Sequence, residues 1–473
     1  MDAGPGAPAA RRAADRGGED EGGGEEVGLL SDSIAALATG PGRAALAVVR
    51  LDGRGAFEVA ARVIPGFRAD RPRRATLATF RDAAGRAIDR GLYTVFPAPH
   101  SYTGHDLVEL ACHGGLAVVG QLLAALHAAG ARPAAPGEFT RRAVLNGKLD
   151  LVQAEAVGDL IDATAPRQTR AALARLEGGL SRRLAELREA LVEAQALLSY
   201  EIDFPEEDDG PVPAATIRAG LEALAARLDR LLASAPAGER LRAGALVVLA
   251  GRPNAGKSSL FNALLGTDRA LVTEIPGTTR DAVEAATSFD GWPVRLADTA
   301  GIWDSPDRID RMGIEVSRRW LAAADLVLLC VESGRPLAPD EAAILTDHPA
   351  LLVRTKADLH RDICDAGQNG VPVSVVTAEG LAHLRAAVVA RVFEAGLSAT
   401  DVEQAVAHER HRQALATARA EVADALGHIG ATGDAVLASH HLRLAATALD
   451  ELVGAIDVEQ ILDRVFGSFC VGK

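Results

Sequence analysis

Residues 245–266 read ALVVLAGRPNAGKSSLFNALLG. The first six form a continuous apolar run, as a buried parallel strand requires, and the last seven are helix-forming. Between them Gly251, Gly256, Lys257 and Ser258 satisfy G-x-x-x-x-G-K-[ST] with strand and helix flanks both in place. Glycines there let backbone N–H groups close around phosphates. Lys257 neutralises the outer phosphates, and the Ser258 hydroxyl is placed for magnesium. The stretch predicts a P-loop nucleotide-binding domain.

The elements that follow select the nucleotide. PGTTRD brings Thr279, VRLADTAG brings Asp298 and Gly301, and LLVRTKAD and VPVSVV come next, the order of translation-factor-like GTPases. In that order Thr279 completes a magnesium shell, Asp298 holds it through water, and the Gly301 N–H meets the outermost phosphate. Asp358 selects guanine, because its carboxylate accepts from the ring N–H and exocyclic amine that adenine does not offer in this pattern. Two positions depart from the common motif. Thr355 stands where an asparagine is usual, and Ser374-Val375 replaces Ser-Ala, so weaker guanine binding is expected. After Gly301 comes Ile302, which cannot orient an attacking water. Hydrolysis therefore requires a water-positioning group and a positive charge from elsewhere, and Asn254 in the loop offers an oxygen to a monovalent cation, although a loop asparagine is more often structural.

Outward from this domain, the 473 residues predict two to four domains, and a hydrophobic fraction of 48% is ample for cores. No apolar run approaches the roughly 20 residues of a membrane span. Residues 1–28 are Gly, Ala, Arg and acid, which predicts a disordered tail; its acid content is wrong for a transit peptide, and a cytoplasmic protein is expected. Residues 29–146 alternate β-rich runs (AALAVVRL, GLYTVF) with one helical stretch, an α+β domain. From residue 147 to about 243 the period becomes helical, with helix-forming text to about Ala233, and it returns over 396–473, so the P-loop domain of 244–395 reads as an insertion into a discontinuous helical one. The fold class is thus multidomain α+β and α/β, with a mainly parallel sheet in the inserted domain.

The net charge of −14 argues against holding nucleic acid by bulk electrostatics. Arg167, Arg170, Arg175, Arg182, Arg183 and Arg188 read as solvated helix charges, with an RNA contact as the lesser alternative. Cys112, Cys330, Cys364 and Cys470 show neither a paired nor a CxxC spacing, so no disulfide framework or zinc site is suggested. Cys470 sits fourth from the end in FCVGK, at the distance of a prenylation box. Gly472 and Lys473 are wrong for one, and no membrane anchor is expected.

Read as an ordered set, DSIAALATGPGRAALAVVRLDG, SYTGHDLVELACHGG, PGEFTRRAVLNGKLDLVQAEAVGDLIDA, IDFPEED, GRPNAGKSSLFNALLG, IPGTTRD, DTAG and FCVGK resemble the tRNA-modification GTPase family MnmE, also called TrmE, over nearly the whole chain after the tail. Gly40 and Ala44 depart mildly from its usual TPPGxG. The resemblance implies an N-terminal folate-binding and dimerisation domain, a two-segment helical domain and an inserted GTPase. It implies a GTP site of Asn254, Ala255, Gly256, Lys257, Ser258 and Ser259; of Thr273, Glu274, Ile275, Pro276, Gly277, Thr278 and Thr279; of Asp298, Thr299, Ala300 and Gly301; and of Thr355, Lys356, Ala357, Asp358, Ser374, Val375 and Val376. Magnesium would be held by Ser258 and Thr279, and potassium by Asn254, Thr273, Ile275 and Thr278, the potassium supplying the charge an arginine finger gives elsewhere. The catalytic set would be Lys257, Thr279 and the water-orienting Asp310, which is one methylene shorter than the family's glutamate. A tetrahydrofolate derivative would meet Arg50, Glu109, Lys148 and Lys473, with Cys470 close by as a possible functional cysteine. The implied partners are a second copy, an MnmG-like flavoprotein in a heterotetramer, and tRNA, whose wobble uridine would receive an aminomethyl or carboxymethylaminomethyl group.

Two other classes of function share parts of this text. A ribosome-assembly GTPase switch would use the same P-loop and GTTRD elements but leaves the N-terminal third and FCVGK without a purpose. A folate-binding scaffold with a degenerate GTPase would accommodate Thr355, Val375 and Asp310, but not the intact Lys257, Ser258, Thr279 and Asp298.

Overall fold

The computed structural model describes residues 33–203, 213–266, 283–298, 319–359, 370–393, 405–429, 434–454, 465–467 and 469–472. The expected tail, residues 1–28, lies outside them. Where three folded regions were expected, contacts gather the chain into two compact units, residues 1–149 with 460–473 and residues 150–459. The FCVGK end makes its contacts with the N-terminal unit. Among the described residues no helix is long and apolar enough to cross a membrane.

The first unit is built on a six-stranded sheet in the order β3-β4-β5-β2-β1-β6: β1 Ile34–Leu37, β2 Leu46–Asp52, β3 Thr76–Arg81, β4 Ala87–Phe96, β5 Leu107–His113 and β6 Arg132–Pro133. Period-2 alternation sorts its faces. Ala47, Val49 and Leu51 of β2 and Val108, Leu110 and Cys112 of β5 form a core with helices α1 (Ala56–Val63) and α2 (Leu116–Ala128). Arg50, Asp52 and Glu109 therefore point to the opposite face. There Ile34 and Ala36 pack with Phe139 of α3 (Glu138–Leu145) and with Tyr102.

The tail closes this unit. Pro136 bridges Val471, and the Gly137 N–H donates to the Cys470 carbonyl at 3.4 Å. Gly472 has φ +101°, and a Cβ there would stand 1.9 Å from the Leu37 carbonyl oxygen, so only glycine lets the tail lie this close to β1.

In the second unit α4 (Leu151–Asp162) starts on a capping box, in which the Asp150 side chain accepts from the Gln153 N–H and Gln153 reciprocates. It is followed by α5 (Pro166–Leu176), α6 (Gly179–Asp203) and α7 (Ala214–Ala243). Helix α7 runs ten residues beyond the expected end near Ala233 and passes through Pro236. An internal proline costs about 3 kcal/mol or more, yet Ala237 and Leu241 are buried in the core under the P-loop sheet, and that burial holds the last turns. After the inserted domain, α11 (Glu409–Gly427) and α12 (Ala435–Val453) complete the helical array, with Leu442 and Leu449 at 0% and 1% exposure.

The inserted domain carries a second sheet, β12-β11-β10-β7-β9-β8: β7 Ala245–Ala250, β8 Val283–Phe289, β9 Trp292–Asp298, β10 Leu326–Glu332, β11 Ala350–Thr355 and β12 Val371–Pro372. All neighbours are parallel except the β8–β9 hairpin. Its helices are α8 (Lys257–Leu265), α9 (Pro339–Asp347) and α10 (Leu381–Val392). VPVSVV is a strand only at its first two residues; Ser374 turns inward while Val375 and Val376 are exposed.

The arginine-rich text is not uniformly solvated. Arg175 is 3% exposed and paired with Asp159 at 2.7 Å. Arg167 lies 4.2 Å above the Trp292 ring, and its N–H donates to the Gly291 carbonyl at 3.1 Å. Trp292 in turn stacks on Phe393 at 4.5 Å. The tip of the β8–β9 hairpin is thus held by the start of α5. Burial between helices gives Arg175 a protein partner in place of water, and Arg167 finds its own on the hairpin.

Candidate functional site

The P-loop leaves β7 at Gly251, whose φ is +140° and where a Cβ would meet the Cys330 carbonyl of β10 at 2.3 Å. Asn254 follows at φ +64°, and Gly256, at φ +83°, opens α8. The loop is therefore closed down on the sheet with the α8 N-terminus, an anion-attracting end, at its centre. Lys257 is 5% exposed, and its ammonium donates to the Gly251 and Arg252 carbonyls at 2.9 and 3.0 Å. Ser258, Ser259 and Asn254 face outward, while Ala255 is buried. Asp298 ends β9 beside Leu249 of β7, at 7% exposure. Together the Ser258 hydroxyl and the Asp298 carboxylate form a hard-oxygen donor set that fits magnesium.

On the base side, the Thr355 hydroxyl donates to the Ala255 carbonyl at 2.8 Å, and Thr355 is 3% exposed. The threonine thus braces the phosphate loop from the end of β11. Asp358 accepts from the Ser374 hydroxyl at 2.6 Å, which fixes its carboxylate for a base. Lys356, at φ +56°, reaches Glu332 at 3.1 Å, and the Ala357 N–H donates to the Val373 carbonyl at 3.2 Å. Lys257, Ser258, Asp298, Thr355, Asp358 and Ser374 are therefore brought to the carboxyl ends of β7, β9 and β11. Thr273, Glu274, Ile275, Pro276, Gly277, Thr278, Thr279, Thr299, Ala300, Gly301, Asp310 and Lys473 lie outside the described residues.

Beneath the loop, burial pushes the Cys330 thiol up to about 12 despite the nearby Lys257 ammonium. It is a core side chain and no nucleophile. Cys112 is likewise buried with its thiol raised by burial, while Cys470 is exposed. Arg252, which the motif leaves unspecified, is tied to Asp340 at 2.9 Å and anchors the loop to α9.

In the first unit Arg50 and Glu109 are cross-strand partners joined at 2.8 Å, with the Arg50 guanidinium 5.6 Å from both the Tyr102 and Phe139 rings. Lys148 donates to the Pro99 carbonyl at 3.0 Å. Beside them lies a buried network absent from the sequence reading. Arg142, wholly buried, bridges Asp52 at 2.8 Å and Glu138 at 3.0 Å, and Glu138 also takes Arg132 at 2.6 Å. Burial alone would raise the Glu138 carboxyl, but its bonds to Arg132 and the Ala135 N–H, with the charge of Arg142, bring it below the usual range. The Arg50–Glu109 pair thus lies against two aromatic rings, a polar pair set on an aromatic surface.

A second such network ties the helical segments. Glu155 of α4 is bonded by His411 and Arg410, and Asp159 by Arg175 and by His408 at 3.0 Å. Burial opposes ionisation of Glu155, yet the adjoining His411, Arg410 and His408 hold its carboxyl far below the usual carboxylate range.

A P-loop sheet with a guanine-type Asp358 and a braced phosphate loop, set into a two-segment helical array in a chain that also carries a separate α+β unit, defines a multidomain GTPase. The family model described as "MnmE helical domain" matches residues 151–470, and "GTP-binding protein TrmE N-terminus" matches 33–148. The tRNA modification GTPase MnmE of Akkermansia muciniphila is 42% identical over 444 residues, 93% of this chain and 99% of its own length. That of Phenylobacterium zucineum is 44% identical over 455 residues, 94% and 100%. The G domain of the T. maritima FeoB iron transporter is 31% identical, covering 31% of this chain and 98% of its own with a TM-score of 0.26. The chain belongs to the tRNA modification GTPase family MnmE, also called TrmE.

Proposed function

We propose that this GTPase works by potassium-assisted hydrolysis as a homodimer and, with an MnmG-like flavoprotein, in the cytoplasm, adds an aminomethyl or carboxymethylaminomethyl group to the wobble uridine of certain tRNAs. The observation that carries the reading is the convergence of Lys257, Ser258, Asp298, Thr355 and Asp358 at one end of the sheet. Lys257 and the α8 N-terminus draw the phosphates in, and Asp358, oriented by Ser374, reads the guanine edge. Ser258, Thr279 and Asp298 would hold magnesium, and Asn254, Thr273, Ile275 and Thr278 potassium. These cations supply positive charge at the phosphates when bound. Asp310 orients the attacking water. In the first unit Arg50, Glu109, Lys148 and Lys473 hold a tetrahydrofolate derivative whose one-carbon unit is the group donated, with Cys470 carried there by the tail. The wobble-uridine and folate assignments rest on the family resemblance, and Gly472 against Leu37 supports the closeness of the tail to the N-terminal site.

The test is GTP turnover by the purified protein in potassium and in sodium, with Asp310→Ala beside it. Potassium-selective turnover that drops in the variant supports the reading. Negligible turnover in both salts overturns it in favour of a degenerate GTPase domain.

A further inference from the structure

We infer that the groove between α6 and α7, at Arg183, Arg227 and Arg230, seats backbone phosphates of the RNA; this deepens the tRNA part of the proposed function and rests on it. The groove is a cavity of about 440 Å³ with Leu187 and Leu231 in its floor and Arg183, Glu186, Arg227 and Arg230 around it. Arg227 and Arg230 are three residues apart on α7 and share a helical face.

One carboxylate faces three guanidiniums. Glu186 is taken by Arg227 at 3.1 Å. Arg183 and Arg230 have no hydrogen-bond or ion-pair partner among the described residues. Neighbouring arginines are committed elsewhere: Arg175 to Asp159, Arg188 to Asp450 and Arg182 to the Glu177 carbonyl. Two uncommitted guanidiniums, Arg183 and Arg230, therefore line this groove together.

A guanidinium presents a planar fork of N–H groups that matches two phosphate oxygens. Buried leucines beneath it lower the local dielectric and strengthen the attraction. The chain as a whole carries −14, so it repels RNA at long range, and a phosphate contact has to be made where cations outnumber carboxylates. This groove meets that condition.

The experiment is tRNA binding by fluorescence anisotropy from about 50 to 300 mM KCl for the full chain, Arg183→Gln/Arg230→Gln, and Arg188→Gln as the control. Each phosphate contact contributes roughly 0.7 to 0.9 to the slope of log K against log salt, so the double variant loses about 1.4 to 1.8. Its affinity at about 100 mM salt falls tenfold or more, and GTP turnover without tRNA stays at the wild-type rate. Arg188→Gln keeps the wild-type slope. A double variant with an unchanged slope, or an equal loss in Arg188→Gln, overturns the groove while leaving the tRNA reading standing. A wild-type protein that binds no tRNA at any salt overturns both.

Discussion

Thr355→Val is the sharpest probe of the GTP site. The substitution keeps the branched shape but removes the hydroxyl that donates to the Ala255 carbonyl at 2.8 Å. Thr355 and Ala255 are 3% and 6% exposed, so water does not readily replace the lost donor. Leaving a buried acceptor unpaired costs about 1–3 kcal/mol. That carbonyl lies inside the phosphate loop, so the cost falls on the nucleotide-competent loop conformation and lowers apparent affinity by the fraction of molecules that still adopt it. Affinity for a fluorescent GDP analogue is therefore expected to fall about 5- to 150-fold. Thr355→Ser retains the donor and stays within about twofold of wild type. Thr355→Asn adds an amide donor and binds at least as tightly as wild type. Wild-type affinity and an unchanged melting temperature in Thr355→Val would refute the bracing role.

Asp358→Asn exchanges a carboxylate for an amide at a position fixed by Ser374. GTP affinity falls tenfold or more, since charge-assisted bonds contribute about 1.5–3 kcal/mol each, and xanthosine triphosphate, with a carbonyl in place of the exocyclic amine, becomes the better ligand in competition titrations. For Glu155, the folded carboxyl titrates below its ordinary 4.5. The unfolded chain then binds the proton first, so the stability this group contributes is present above pH 4.5 and is lost as pH falls below it. Urea melts of Glu155→Gln against wild type will show a shallower acid limb in the variant. Gly472→Ala places a Cβ against the Leu37 carbonyl at φ +101°, which costs at least about 1 kcal/mol. The tail leaves β1 more often, and carboxypeptidase trims it about fivefold faster or more, read by mass spectrometry.

What was legible in the sequence is what is contiguous in it. The P-loop, Asp298 and Asp358 sit on strand–loop–helix text whose flanks declare their own geometry, and the strands order them. The discontinuous helical array was legible too, because its apolar period resumes after the insertion. The ionic hubs were not: Glu155 meets Arg410 and His411 across 255 and 256 positions, and Arg142 meets Asp52 across 90. An arginine that pairs with a distant acid looks in a string like one that faces water, as Arg175 does until Asp159 is seen beside it. In the string Thr355 is only a shorter residue in the place of an asparagine, and the fold shows where its hydroxyl goes, to the Ala255 carbonyl.

The docking of the tail gives the N-terminal unit an unusual order of manufacture. Residues up to 149 emerge from the ribosome early, but the piece that lies on β1 follows only after residues 150–459. At synthesis rates of about 5–20 residues per second that interval is about 15–60 s. Through it, Leu37 of β1 and the Pro136–Gly137 turn lack the residues that pack on them. The first unit is therefore assembled from two stretches that bracket the second, and β1 lacks its contact with Gly472 until residues 150–459 have been made.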